Sequence, residues 1–148
     1  MTNSFTKADD KGRNIWYSTI SGSIQDIKFT ENPYDGVDGY MTGQTGIRSV
    51  LEIKNRDIPS DKYDEVLIEK KKYNTLLQRK ETYKTEKALF INIFRDKYII
   101  WDISSIKEPK WHKVKCTAHT ADGKYTRGEK EKEVGFLKKE DALWIKER

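Results

Sequence analysis

Cysteine occurs once, at Cys116, so the chain cannot form an internal disulfide, and the usage suits a reducing compartment. Histidine is scarce too. His112 and Cys116 would share a strand face, but His119 would not, and no fourth ligand lies near them, so a structural zinc site is not expected. Long apolar runs are missing. Nothing approaches the roughly 20 residues of a membrane span, and the segment from Met1 has no apolar stretch of the signal-peptide kind. The expectation is a soluble, intracellular protein without a membrane partner. Charge is plentiful but nearly balanced: 29 basic against 24 acidic residues, a net of +5. That balance permits a polyanionic partner without requiring one. No internal repeat and no linker divides the chain. What is abundant is aromatic: eight Tyr, five Phe and four Trp, which argues for a packed core over disorder. One domain over residues 1–148 is expected, with the polar residues 1–13 flexible.

The periodicities divide the chain into short elements. Ile15, Trp16, Tyr17 and Ile20 suggest a brief helix over residues 14–20 that Gly22 ends. Residues 24–29 alternate as a strand, and residues 31–36 hold Asn-Pro and Asp-Gly turn signals. Residues 37–43 and 47–56 read as the arms of a β-hairpin. Ser60 is a candidate N-cap for a helix to about residue 84, the longest expected, carried by Tyr63, Val66, Leu67, Tyr73, Leu76 and Leu77. Residues 88–94 and 98–103 form a second hairpin, 111–119 and 134–138 further strands, and 140–147 a closing helix packing Leu143 and Trp144. The lysine-rich stretch before Val134 is expected to be exposed. Trp16, Trp101 and Trp144 are expected in the core.

The first hairpin carries the chemistry. On its second arm Ser49, Leu51 and Ile53 share one face, and Arg48, Val50, Glu52, Lys54 and Arg56 share the other. Register decides which acid faces Glu52. A three-residue loop, Gln44-Thr45-Gly46, pairs Gly43 with Ile47 and sets Asp38 across from Glu52. A four-residue loop turns Asp38 away. Three-residue loops favour a left-handed last position, and Gly46 occupies it. Asp35 is the alternative acid; a bulge near Gly36 or Gly39 would alter the choice. Opposed carboxylates about 5 Å apart at Cβ repel unless a cation lies between them. Oxygen-only donors suit Mg2+ or Mn2+, and an adjacent lysine suits a phosphate oxygen or an attacking water.

Asp38, then Glu52-Ile53-Lys54 on the next strand, then a long helix, resembles the PD-(D/E)XK nuclease superfamily. The resemblance spans residues 24–103 in layout and three residues in motif. The run from Asn32 to Asp38 followed by Glu-Ile-Lys-Asn-Arg is similar to small phage-type or resolvase-type members. The resemblance implies a restriction-endonuclease-like α/β fold, a central mixed β-sheet flanked by helices. It implies a divalent metal held by Asp38, Glu52 and the backbone carbonyl of Ile53, with Lys54 as the catalytic lysine. It implies hydrolysis of DNA phosphodiesters, with branched or structured DNA as the candidate substrate. Many members carry a glutamate on the first helix, and residues 14–20 have none. Glu69 and Lys72 are the nearest assisting residues on the following helix. Resolvase-type members act as dimers, which leaves a homodimer open.

A Glu-x-Lys on a strand more often marks a solvated face with an ordinary ion pair. Here the upstream Asp, the apolar alternation and the following helix favour the site. Candidate DNA contacts are Arg48, Arg56, Lys72, Lys110, Lys113 and Lys115, the last three interleaved with Trp111 for backbone contact plus stacking. The alternatives are a non-catalytic nucleic-acid-binding or assembly protein on the same scaffold, and a small basic adaptor.

Overall fold

The computed structural model describes the backbone of residues 4–31, 36–119 and 125–148, and side chains of 11–31, 36–115 and 131–148. The elements in chain order are α1 (Ser4–Ile20), β1 (Ile24–Phe29), β2 (Gly39–Gly43), β3 (Arg48–Asn55), β4 (Glu65–Glu69) and α2 (Lys70–Tyr83). Then come β5 (Lys87–Ile93), β6 (Lys97–Asp102), β7 (His112–His119), β8 (Tyr125–Lys138) and β9 (Trp144–Glu147). A mixed sheet runs β1-β2-β3-β5-β6-β9, and a three-stranded sheet runs β4-β8-β7. β3 and β5 are parallel, joined by a crossover that contains β4 and α2, and the other pairs are antiparallel. The chain is thus α/β with a large mixed sheet.

Burial follows from position. β5 is central, and its run from Ala88 to Ile93 is buried on both faces, as a doubly covered strand requires. Along β3 the residues alternate between two cores. Val50 joins Phe90 and Trp101, Tyr73 and Leu76 of α2, and Val66, Ile68 and Leu137 of the smaller sheet. Leu51 and Ile53 join Leu89, Ile91, Ile93 and Trp16 of α1. Glu52 falls on the α2 side.

The structure corrects several expectations. Residues 4–13 continue α1 instead of fraying. Gly12 permits this: a Cβ there would lie 3.2 Å from Cγ2 of Ile53, so the helix seats closely on β3. The expected helix from Ser60 begins only at Lys70. Val66 and Ile68 alternate inward on β4, which pairs with β8 far along the chain. Ser60 caps no helix; its amide and hydroxyl both donate to the Asp96 carboxylate, at 2.7 and 2.6 Å. α1 is the longer of the two described α-helices, at 17 residues against 14. The closing helix is replaced by a 3-10 turn at Lys139–Asp141 and the edge strand β9. Trp144 there is 50% exposed, whereas Trp16 and Trp101 are core. The stretch before Val134 belongs to the long strand β8, and its described side chains, 131–133, are exposed as expected.

Candidate active site

The β2–β3 turn has the three-residue form. Gly43 N–H donates to Ile47 O (2.8 Å), Gly46 N–H to Gly43 O (3.0 Å), and Gly46 adopts φ +87°. The ladder pairs Thr42 with Arg48, Met41 with Ser49, Tyr40 with Val50 and Gly39 with Leu51. Gly39 is required where β2 meets β1, since a Cβ there would lie 2.5 Å from the Lys28 carbonyl oxygen. Asp38 immediately precedes the ladder. Its amide donates to Leu51 O at 2.8 Å, so the register slips where β2 ends.

The carboxylate of Asp38 completes the approach. Oδ2 accepts from the Ile53 amide at 2.7 Å, and Oδ1 accepts from Arg13 Nε at 3.0 Å. Arg13 is itself anchored, its Nη1 on Thr30 O at 2.9 Å and its guanidinium over the Phe29 ring. Both acids are buried, each 7% exposed. Glu52 is in hydrogen-bonding contact with Asp38, and its Oε1 lies 3.2 Å from Lys72 Nζ on the first turn of α2. Burial, then the charge of Asp38, pushes the Glu52 carboxyl up to about 8, with Lys72 pulling the other way. In a strand one residue's N–H and C=O point to the same side. The Ile53 carbonyl therefore projects, like its amide, toward the open end of β2 beside Asp38.

Lys54 is not the amine beside the acids. It lies on their side of β3 but two residues further along, is exposed, and makes no ion pair among the described residues. Lys72 reaches Glu52 instead. Asp35 lies outside the described residues. Arg13 was hidden in a segment expected to be flexible. The spacing Gly12, Trp16, Ile20 would have extended the helix back to it. Comparison with protein-family models, curated proteins and solved structures finds no match.

The expected DNA contacts do not form one outward row. Arg48 donates through Nη2 to the carbonyls of Tyr83 and Lys84, satisfying the C-terminus of α2. Arg56 donates to Asn92 Oδ1 (2.9 Å) and Leu67 O (2.7 Å), and burial holds its pKa below the usual guanidinium value. The Nδ2 of fully buried Asn92 has no partner among the described residues. Lys110, Lys113 and Lys115 are exposed, the latter two across from Glu133 and Glu131 on β8. Trp111 is half-buried. Its ring packs edge-on against Tyr73 at 5.2 Å and over Gly135, where an added Cβ would approach it to 3.0 Å.

Among the described residues no group of three or more His, Cys, Asp or Glu gathers for a metal. The side chains of Cys116 and His119 lie outside them. No described helix is long and apolar enough to cross a membrane. A cavity of about 500 Å³ opens between β4, Phe136 and the segment from Arg56 to Asp64, and it includes neither acid.

Proposed function

We propose that this protein is a Mg2+- or Mn2+-dependent endonuclease with a restriction-endonuclease-like fold of the PD-(D/E)XK type. It would be soluble and intracellular and would hydrolyse DNA phosphodiesters, with branched or structured DNA as the candidate substrate. The observation that carries the reading is the convergence of the buried Asp38 and Glu52 carboxyls beside the Ile53 backbone.

The donors fit a hard cation: two carboxyls and one backbone carbonyl, with no sulfur or imidazole. When bound, such a cation supplies a Lewis acid for the phosphate and a water of lowered pKa. The chain does the rest. The Ile53 amide and Arg13 fix both oxygens of Asp38, so its carboxylate is oriented in advance. On taking such a cation, Glu52 would give up its proton to solvent and serve as a ligand. The Lys72 ammonium, already beside Glu52, is positioned to hold a phosphate oxygen or orient a water. Lys54, on the solvent side, is left to meet the flanking backbone phosphate.

The test is cleavage of supercoiled and four-way-junction DNA in Mg2+ or Mn2+. Lys72→Ala is expected to lower the rate at least about a hundredfold, and Lys54→Ala to weaken binding more than turnover. Loss of cleavage on Lys54→Ala with Lys72→Ala unaffected would reverse the lysine assignment. No cleavage by the parent would remove the nuclease reading.

One observation favours the non-catalytic alternative. Once Glu52 is ionised, the pairs Arg13–Asp38 and Lys72–Glu52 balance the charge of the acids with no metal needed. A binding or assembly protein on this scaffold would hold DNA in a salt-dependent manner, with no response to divalent metal.

A further inference from the structure

Arg13 and Lys72 have a consequence for how many cations the acids admit. The four charged groups occupy one small volume. Arg13 Nε stands 3.0 Å from Asp38 Oδ1 and Lys72 Nζ stands 3.2 Å from Glu52 Oε1. The two acids touch one another and are buried. With both acids ionised the cluster is neutral before any metal arrives. One divalent cation takes it to +2, and a second would take it to +4 around two buried carboxyls, where like charges are less screened than in water.

Arg13 is the more firmly held of the two cations, since the Lys72 side chain is 41% exposed. Arg13 is tied to the Thr30 carbonyl and lies over Phe29, besides bonding Asp38. Lys72 is carried by the first turn of α2, whose Tyr73 is buried in the core. One comes from each helix, Arg13 from α1 and Lys72 from α2.

We infer that the Asp38–Glu52 site takes one divalent cation per chain, with Arg13 and Lys72 supplying the positive charge that a second ion would otherwise bring. This rests on the nuclease reading and adds the metal count and a charge-balancing role for Arg13.

The test is Mn2+ titration of the full chain, by calorimetry and by the electron paramagnetic resonance of free Mn2+. The expected result is one Mn2+ per chain, lost in Asp38→Asn and in Glu52→Gln. Lys72→Met, at a half-exposed helical position, should tighten that ion about tenfold or more by removing a like charge. The Arg13→Met/Lys72→Met pair should admit a second ion. Two ions in the parent, both lost in Asp38→Asn, would overturn the count and leave the nuclease reading standing. No ion in the parent at millimolar Mn2+ would overturn both. An unchanged or weaker affinity in Lys72→Met would overturn the charge-balancing role.

Discussion

Replacing Glu52 by Gln tests the electrostatics of the site without DNA or metal. Gln is close in shape to a protonated Glu, and it cannot ionise. The Glu52 carboxyl is 7% exposed and in contact with Asp38. Its pKa rises from 4.5 to about 8 in the folded chain, through burial first and the Asp38 charge second. A folded-state pKa above the unfolded value means that stability is full below about pH 4.5 and is lost as pH rises through about 8. At 1.36 kcal/mol per pH unit, the loss across that window is roughly 4–5 kcal/mol. For a chain of this length that is on the order of 10 °C in Tm. Urea unfolding in EDTA at pH 5 and pH 8.5 reads it directly. At the lower pH parent and variant should agree within about 1 kcal/mol, since Glu52 there is mostly neutral. At the higher pH Glu52→Gln should be the more stable by roughly 3–5 kcal/mol. Other titrating groups are common to both proteins and cancel in the difference. A variant less stable than the parent at pH 8.5 would show that Glu52 has no raised pKa. Glu52 would then be held ionised by Lys72, and the Asp38 contact would be of little consequence.

Two other substitutions probe what holds the site in place. Gly39→Ala puts a Cβ 2.5 Å from the Lys28 carbonyl oxygen, so β1 and β2 must part. It should cost roughly 2–4 kcal/mol in chemical denaturation, and a loss below about 0.5 kcal/mol would contradict the close approach. Trp111→Ala should cost roughly 3–5 kcal/mol of stability through lost packing against Tyr73. A folded Trp111→Ala protein of parental stability that had lost DNA affinity would restore the stacking role first expected for it.

The hairpin was legible because its signals are local. Gly46 sets the left-handed turn, and alternation along residues 48–54 then places Glu52 on a defined face. The slip at Asp38 was not legible, because it depends on the end of β2 and on Thr30 accepting Arg13. β4 was misread for a related reason. Val66 and Leu67 suit a helical face with Tyr63, and only pairing with distant β8 selects the strand. The edge strand β9 likewise owes its form to β6, with no helix-like burial of Leu143 or Trp144. That Lys72 is the lysine paired with Glu52 follows from three-dimensional proximity. Lys54 is adjacent to Glu52 in sequence pattern, but α2 delivers the nearer amine. Arg13 was obscured by its polar neighbours, since one packed glycine carries the helix back through them.

We propose that Asp38 and Glu52 together hold the cation for phosphodiester hydrolysis. Nicking of supercoiled DNA in Mg2+ by the parent, Asp38→Asn and Glu52→Gln tests it most directly, with each variant first shown to be folded. The parent should nick, EDTA should stop it, and each variant should be slower by at least about a thousandfold. Folded variants that nick at the parental rate would contradict it.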